Sequence, residues 1–185
     1  MRRVFDLIFA LAISPIVILV ILLCSIFIFF YDGRPIFFSS ERVGKNQKIF
    51  NIFKLRTMSS CAPLIPSNED TASLYVTKLG QFLRLSSLDE LPQLFNILIG
   101  SMTFIGPRPC LASEKELIEY RARKNIFSMT PGLTGLAQAR GRDKNSIRNK
   151  VRYELFYLKK KSLRFNLYII LITLRSVWKF SDVNH

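Results

Sequence analysis

The chain contains one histidine in 185 residues, and it is the final residue, His185. The sequence therefore indicates neither a metal site built from several histidines nor a Ser-His-Asp catalytic triad. The three cysteines, Cys24, Cys61 and Cys110, are far apart and odd in number, so they indicate neither a disulfide framework nor a zinc site. This pattern favours a reducing compartment and thus a cytosolic face. Any acid, base or nucleophile must come from carboxylate, cysteine, lysine, tyrosine or hydroxyl side chains.

Acidic residues are also scarce, because 13 Asp and Glu stand against 27 Lys and Arg and give a net charge of +14. At the same time 49% of the residues are hydrophobic, which is a high share for a basic nucleic-acid-binding domain. A chain that is both basic and apolar fits a protein held at an anionic membrane surface. Neither GxxxxGK[ST] nor GxGxxG occurs, so the sequence does not indicate nucleotide binding by those loops. A membrane-tethered nucleic-acid binder stays open as an alternative.

The strongest membrane signal is an uncharged run over residues 7–31. As a helix it could cross a hydrocarbon core of about 30 Å. Pro15 cannot donate a hydrogen bond to the carbonyl of Leu11, and the hydroxyl of Ser14 is one candidate partner for that carbonyl. Basic residues flank the run on both sides, so the positive-inside rule assigns no orientation. The residues alone leave two hypotheses: a kinked transmembrane helix, or a helix that breaks at Pro15 and returns to the same face.

The rest of the chain predicts a helix-rich α/β domain with a small β element. Strand-like pieces joined by polar turns occupy residues 33–58. The GPRP sequence at residues 106–109 predicts an extended turn, and residues 130–142 predict a glycine-rich basic loop. The last helix has an apolar part that is too short to span a membrane and predicts an interfacial helix. Helices are expected over residues 77–84, 89–99, 112–124 and 146–180.

Two adjacent carboxylates, Asp89 and Glu90, stand out in a chain with so few acids. The other adjacent acidic pair lies in a Pro- and Ser-rich stretch, where a solvated surface is expected. Ser87-x-x-Glu90 fits a capping box, and Asp89 could itself cap the helix with Pro92 in its first turn. Helix capping and catalysis both remain open from the spacing alone.

Basic residues on rigid segments are candidate phosphate ligands. Arg84 lies five residues before Asp89, and Arg108 stands between two prolines. Lys54 and Arg56 share one face of a predicted strand because side chains alternate along a strand. Phosphate recognition uses planar guanidinium forks and close backbone approach. The alternative is a solvated basic face against anionic lipid.

Three motifs carry a family resemblance: SLDELPQLFNILIGSMTFIGPRP at 87–109, IFKLRTM at 52–58 and TPGLTGLAQARGR at 130–142. With them the chain resembles the bacterial sugar transferases, the monotopic phosphoglycosyl transferases, over nearly its whole length. The resemblance implies transfer of a phosphosugar from a UDP-sugar to polyprenol (undecaprenyl) phosphate, with release of UMP at the start of glycan assembly. It also implies Mg²⁺, a covalent phosphosugar-enzyme intermediate, and a location on the cytosolic face of the bacterial inner membrane.

Carried over to this sequence, the resemblance implies that Asp89 is the nucleophile and a Mg²⁺ ligand. Its dyad partner would be Glu90, which accepts a proton or orients the polyprenol phosphate. The implied substrate-binding residues are Arg84 and Arg108 on phosphate, with Lys54, Arg56, Gln138 and Arg142 around the nucleotide sugar. The family's architecture favours a re-entrant helix over residues 1–32, broken at Ser14 and Pro15, and a catalytic domain with interfacial helices over residues 33–185.

The sequence departs from the family's motifs at five positions. The family often has Asp, Trp and Asn at the positions of Ser101, Leu136 and Arg140, and Asp at those of Glu154 and Asn166. The dyad and the Pro-Arg-Pro turn are intact, so the reaction type is expected to hold. The sugar, the pathway and the oligomeric state stay open, a homodimer being one option. No nucleic-acid partner is expected, and a non-catalytic membrane scaffold is a further alternative.

Overall fold

The computed structural model describes residues 2–59, 61–62, 74–141 and 146–178. Within these ranges the chain is helix-rich and has two small two-stranded sheets, which confirms the predicted helix-rich α/β class with a small β element. The strands are β1 (Phe37–Val43), β2 (Ile49–Leu55), β3 (Thr103–Ile105) and β4 (Gly132–Thr134). The α-helices are α1 (Arg2–Tyr31), α2 (Lys78–Leu85), α3 (Gln93–Ile99), α4 (Lys115–Arg123), α5 (Leu136–Ala139), α6 (Ile147–Lys160) and α7 (Leu163–Trp178).

Helix α1 packs one face on the rest of the chain along its whole length and leaves the other face exposed. Within the described residues it is the one helix that is long and apolar enough to cross a membrane by length and composition. The packed side chains recur every three or four residues, as one stripe of a helix does. They are Asp6, Ala10, Ile13, Val17, Ile21, Cys24 and Ile28.

The predicted partner for the Leu11 carbonyl is confirmed, because the Ser14 hydroxyl donates to that oxygen at 2.9 Å. Helix α1 continues through Pro15 as one element. The Ser14 hydrogen bond compensates locally for the amide hydrogen that Pro15 lacks. The predicted re-entrant course of this segment stays a prediction, as does the domain boundary after residue 32.

The first turns of α1 are held on α3 and β3 by polar side chains. The Arg3 guanidinium donates to the carbonyls of Ile97 and Leu98 in the last turn of α3. A cation at a helix C-terminus is favourable because the last carbonyls of a helix lack partners. The Thr103 hydroxyl donates to the buried Asp6 carboxylate at 2.6 Å. The start of α1 is therefore attached to α3 and β3, the two elements that follow the acidic pair in the chain.

Strands β1 and β2 form an antiparallel hairpin whose register runs from Phe37 opposite Leu55 to Val43 opposite Ile49. The same register places Phe38 opposite Lys54 and Arg42 opposite Phe50 on the other sheet face. Because side chains alternate along a strand, Phe38, Arg42 and Lys54 belong to one face of the hairpin.

Strands β3 and β4 pair in parallel and hold the start of the predicted GPRP turn. A Cβ at Gly132 would lie 2.0 Å from the backbone nitrogen of Gly106, so a side chain is excluded at this crossing. The amide of Gly132 donates to the Pro107 carbonyl at 2.9 Å. The prediction of an extended turn at 106–109 is confirmed. The predicted loop over 130–142 is wrong in part, because it contains β4 and α5.

The helix boundaries also differ from the prediction in two places. The segment predicted as one helix over 89–99 is a 3₁₀ turn (Leu88–Glu90) followed by α3. The segment predicted as one helix over 146–180 is described as far as Trp178, and there it forms two helices, α6 and α7, which are separated at Lys161 and Ser162. Gly100 ends α3 with φ of 101°, as predicted from its sequence position.

Candidate active site

The acidic pair lies in the 3₁₀ turn between α2 and α3 and does not cap a helix. Ser87 precedes this turn with φ of 58°, in the left-handed region, and makes no side-chain capping hydrogen bond. Pro92, not Asp89, is the residue before α3, and it too provides no side-chain cap. Both capping interpretations are therefore wrong, and the carboxylates of Asp89 and Glu90 are available for other interactions.

Glu90 holds two basic side chains at one carboxylate oxygen. The Lys54 Nζ atom lies 2.7 Å from Glu90 Oε1, and a terminal nitrogen of Arg108 lies 3.2 Å from the same oxygen. Burial raises the pKa of Glu90, but the charges of Lys54 and Arg108 outweigh it and hold that pKa well below its usual range. Glu90 is therefore an ionised bridge between a strand lysine and the arginine of the Pro-Arg-Pro turn.

Asp89 is the more buried of the two acids, with 7% of its surface exposed. Burial raises the pKa of its carboxyl above the ordinary value, and the charge of Lys54 works against that shift. The Lys54 Nζ atom is 3.7 Å from Asp89 Oδ2, which is an ion-pair distance without a hydrogen bond. Asp89 thus presents a buried carboxylate beside a cation, an arrangement in which a carboxylate can act as a nucleophile or as a metal ligand.

Arg84 reaches the same region from α2. Its Nε donates to the Thr57 hydroxyl at 2.9 Å, and the Asp89 charge acts on its guanidinium. Helix α2 approaches the Thr57 backbone closely because Gly80 has no side chain, and a Cβ there would lie 2.0 Å from the Thr57 carbonyl oxygen. The Thr77 hydroxyl caps α2 by accepting from the Gly80 amide at 2.8 Å. The structure thus brings Arg84, Lys54 and Arg108 to the acidic pair, and their predicted roles in substrate binding stay predictions.

The predicted placement of Arg56 on the strand face of Lys54 is wrong, while its predicted role near the nucleotide sugar stays a prediction. Strand β2 ends at Leu55, one residue before Arg56. The alternation of side chains that would put Arg56 on the face of Lys54 therefore stops before Arg56. The buried Arg56 guanidinium donates to the carbonyls of Asp32 and Gly33, just beyond the end of α1. The side chain therefore holds the segment just beyond the end of α1.

Of the two other predicted residues, Gln138 makes no hydrogen bond with the dyad among the described residues. The side-chain amide of Gln138 on α5 donates a hydrogen bond to the carbonyl of Leu133 on β4 at 3.1 Å. Its side-chain oxygen is buried and has no hydrogen-bond partner among the described residues. Arg142 lies outside the described residues, so its predicted role in substrate binding stays a prediction.

Arg42, which no sequence motif indicated as a site residue, also interacts with the residues around the acidic pair. Its half-buried guanidinium interacts electrostatically with Arg108 and Glu90. Its Nε donates a hydrogen bond to the Ser40 hydroxyl at 3.3 Å. Side chains alternate between the two faces of a strand, and the hairpin register puts Arg42 of β1 on the same face as Lys54 of β2. Knowledge of this register would have indicated Arg42 from the sequence. Burial and the Arg108 charge lower the pKa of Arg42.

The acidic pair fits a magnesium ion better than a metal that needs a full protein cage. No group of three or more His, Cys, Asp or Glu side chains that could hold a metal occurs in the described part of the chain. Magnesium is usually held by one or two carboxylates together with water and substrate phosphates. Asp89 can serve in that way, whereas Glu90 Oε1 is already bound by two cations.

Comparison with known proteins places these residues in a family context. The bacterial sugar transferase family matches residues 1–180. The chain is 36% identical over 196 residues to the exopolysaccharide production protein ExoY of Sinorhizobium fredii, covering 95% of this chain and 84% of that protein. It is 36% identical over 160 residues to the galactosyl transferase CpsE of Streptococcus agalactiae, covering 79% of this chain but 35% of that protein.

A relative from Klebsiella pneumoniae is named UDP-glucose:undecaprenyl-phosphate glucose-1-phosphate transferase. It is 34% identical over 154 residues, which cover 75% of this chain and 32% of that relative. The chain thus spans about a third of the length of two of these relatives and most of the length of ExoY. The match over residues 1–180 and these relatives confirm the resemblance and the expectation of a transferase: the chain belongs to the bacterial sugar transferase family.

Proposed function

We propose that this protein is a phosphoglycosyl transferase that moves a phosphosugar from a UDP-sugar to undecaprenyl phosphate and so starts the assembly of a glycan. The observation that carries the proposal is the buried Asp89 carboxylate next to Lys54, Arg84 and Arg108. A diphosphate substrate needs cations around a nucleophile, because an exposed carboxylate alone would repel it. The names of the relatives from Klebsiella pneumoniae and Erwinia amylovora, which refer to undecaprenyl phosphate and a lipid carrier, support the acceptor class.

In the first step, a carboxylate oxygen of Asp89 attacks the phosphorus that bears the sugar. A new bond forms between this oxygen and phosphorus, and the bond from that phosphorus to the bridging oxygen of the diphosphate breaks. UMP leaves with the bonding electron pair, and the phosphosugar stays on Asp89. Lys54, Arg84 and Arg108 offset the charge that builds up on the phosphate oxygens.

In the second step, a phosphate oxygen of undecaprenyl phosphate attacks the same phosphorus. The bond between Asp89 and phosphorus breaks, so the carboxylate is regenerated and the lipid diphosphate sugar leaves. No external oxidant or reductant is needed, because both steps are substitutions at phosphorus.

Glu90 has a positioning role in this proposal rather than that of a proton acceptor. Its lowered pKa makes it a weak base, and its Oε1 atom orients Lys54 and Arg108 toward the reacting phosphates. Mg²⁺ would be held by Asp89 together with the substrate phosphates, where it would supply further charge neutralisation.

We also propose that the protein lies at the cytosolic face of the bacterial inner membrane. Helix α1, although continuous through Pro15, would then be re-entrant in the sense that both of its ends lie on that face. Arg3 at the start of α1 bonds to α3, and Arg56 bonds to the chain just beyond the end of α1. If α1 crossed the bilayer, these two ends would lie about 30 Å of hydrocarbon apart, and the domain that contacts both would have to cross as well. Contact of both ends with one polar domain therefore supports a common face.

Helix α7 supports the interfacial part of the proposal. The helix carries a stripe of exposed leucines at spacings of three or four residues: Leu163, Leu167, Leu171 and Leu174. Exposed basic residues precede and flank this stripe: Lys159, Lys160, Lys161 and Arg164. An apolar stripe with a basic border is the pattern of a helix that lies in the headgroup region of an anionic membrane.

Labelling of single cysteines tests the topology. Cysteine replaces Arg2 in one variant and Arg34 in another, in a background whose three native cysteines are changed to alanine. We expect a membrane-impermeant maleimide to reach both positions in inverted vesicles and neither in intact spheroplasts. A Lys48→Cys variant, exposed on the hairpin, marks the face of the catalytic domain. Labelling of positions 2 and 34 from opposite sides would exclude re-entry.

A panel of UDP-sugars, with undecaprenyl phosphate and Mg²⁺ in detergent micelles, tests the proposed reaction. UMP is expected to accumulate over many turnovers with at least one sugar, and turnover is expected to stop when undecaprenyl phosphate is left out. The sugars to begin with are UDP-glucose and UDP-galactose, which the names of two relatives contain. A folded protein that releases no UMP from any sugar, but is retained on DNA or RNA in a salt-sensitive way, would contradict the proposal.

A further inference from the structure

Arg42 lies at the opposite end of the hairpin face from Lys54. Phe38 pairs with Lys54 and Arg42 pairs with Phe50, so four residues of β1 separate the two cationic positions along the strand. At about 3.3 Å per residue this is a separation of roughly 13 Å. The two cations therefore cannot bind the same phosphate oxygen through short contacts, but they can lie at the two ends of one extended anionic substrate.

Arg108 interacts with both of these ends. It shares the Glu90 carboxylate with Lys54, and its charge acts unfavourably on Arg42. The backbone supports this proximity, because the amide of Val43, next to Arg42, donates to the carbonyl of Cys110 at 2.9 Å. The site thus contains an ordered row of cations, with Lys54 first, Arg108 second and Arg42 third.

The Arg42 guanidinium is not neutralised by a neighbouring acid. Within the described residues it forms no ion pair, and its Nε hydrogen bond to Ser40 is the contact that orients the fork. Glu90 and Glu114 act on it through their charges without a direct pair. The Arg42 and Arg108 guanidinium groups repel each other, and Arg42 is half-buried without an ion pair in the described part of the chain, so an anion bound by both would stabilise the arrangement.

The position of Asp89, the proposed nucleophile, indicates how the donor would be oriented along the row of cations. Asp89 contacts the Lys54 end, at 3.7 Å from Nζ. The leaving oxygen in a substitution at phosphorus lies roughly in line with the attacking oxygen and on the far side of the phosphorus. The second phosphate of the donor therefore points away from Asp89 and toward the cations that follow in the row.

From this geometry, and on the basis of the proposed function, we propose that Arg42 binds the phosphate of the leaving UMP. The UDP-sugar would then lie along the hairpin, with its sugar phosphate at Asp89 and Lys54 and its nucleoside at the Arg42 end. Arg108 would contact both phosphates from the Pro-Arg-Pro turn. Arg42 is thus a substrate-binding residue that orients the donor and stabilises the departing nucleotide.

Equilibrium binding of UMP, UDP and uridine to the full chain in detergent micelles with Mg²⁺ tests this proposal without any turnover. We expect Arg42→Gln to weaken UMP and UDP binding by about 10- to 100-fold, because a charge-assisted hydrogen bond to phosphate is lost. Uridine, which has no phosphate, should bind the variant and the wild type equally. Arg42→Lys keeps the charge without the planar fork, so we expect an intermediate loss.

Lys48→Gln is the matched control, since it removes one exposed positive charge from the same hairpin. It should change UMP binding by less than twofold. Wild-type affinity of Arg42→Gln for UMP would overturn the proposal, as would an equal loss for uridine or a loss in the control. Failure of the wild type to bind UMP would overturn it too. If UMP binds as expected but no UDP-sugar yields turnover, the proposed reaction fails while the role of Arg42 in nucleotide binding stands.

Discussion

Changing Asp89 to asparagine is expected to abolish UMP release from a UDP-sugar mixed with undecaprenyl phosphate and Mg²⁺. Asparagine has nearly the same shape as aspartate, but its amide neither attacks phosphorus nor carries the negative charge that binds a metal. Loss of the group that forms the covalent bond should lower turnover by about 10³-fold or more. The measurement is UMP release over time at saturating donor and acceptor concentrations.

A trapping experiment separates a covalent role of Asp89 from a role in binding alone. The wild type is incubated with a UDP-sugar without undecaprenyl phosphate, denatured, and analysed by intact mass. A mass increase equal to one phosphosugar is expected in the wild type and not in Asp89→Asn. Failure to trap the adduct in the wild type, or full UMP release by the variant, would exclude Asp89 as the covalent nucleophile.

Glu41→Gln is the control for removal of a negative charge. Glu41 is exposed on β1, one residue before Arg42, and alternation directs it to the sheet face opposite to Lys54. Its loss should leave UMP release within about twofold of the wild type, because a solvent-exposed charge contributes little. Equal loss of activity in Glu41→Gln would mean that net charge, rather than the Asp89 carboxylate, controls the reaction.

The second large effect is expected at a buried ion pair beside Cys110, the residue that follows the Pro-Arg-Pro turn. Arg121 on α4 and Glu154 on α6 are both almost completely buried, and Arg121 Nε donates to Glu154 at 2.9 Å. Arg121→Ala leaves the Glu154 carboxylate buried without its cation, so we expect a loss of about 3–5 kcal/mol in the free energy of unfolding. The measurement is denaturant or thermal unfolding in a fixed detergent.

The same helix supplies a matched control for this prediction. Arg123 pairs with Glu119 on the exposed surface of α4, where both side chains are about two-thirds exposed. Arg123→Ala should cost about 0–1 kcal/mol because water screens an exposed pair. Equal destabilisation by Arg121→Ala and Arg123→Ala would contradict the explanation by burial.

A double variant distinguishes an unpaired charge from lost packing. Arg121→Met combined with Glu154→Leu removes both charges and keeps apolar volume in the core. We expect it to be more stable than either single change, because replacing a buried ion pair by apolar residues is often neutral or stabilising. A double variant that is as unstable as the sum of its parts would show that packing, and not charge, dominates the loss.

Much of this protein could be predicted from local patterns in its sequence. The uncharged run predicts α1, Gly100 predicts the end of α3, and the prolines on either side of Arg108 predict an extended turn. Each of these features depends on backbone preferences or side-chain properties of a few neighbouring residues, which tertiary contacts reinforce here rather than override. The motifs around Asp89 also predicted the family, because they are long and ordered.

The errors share a physical cause. A capping box at Ser87 matches the spacing, but Ser87 adopts a left-handed backbone conformation that the spacing does not reveal. The alternation of Lys54 and Arg56 holds only while the strand continues, and β2 ends between them. Arg42 was missed because its relation to the site depends on the hairpin register and on Cys110, which is 68 residues away in the chain.

The sequence by itself therefore determined the family, the acidic pair and the apolar helix, since these follow from residue types and their order. The tertiary structure alone decided which of the many basic residues meet the acidic pair. Lys54, Arg84, Arg108 and Arg42 come from a hairpin, a helix and a turn that are far apart in sequence, whereas Arg56 is directed to the end of α1. The direction of a long side chain depends on where its strand ends and on which carboxylate or carbonyl lies nearby, and non-local packing sets both.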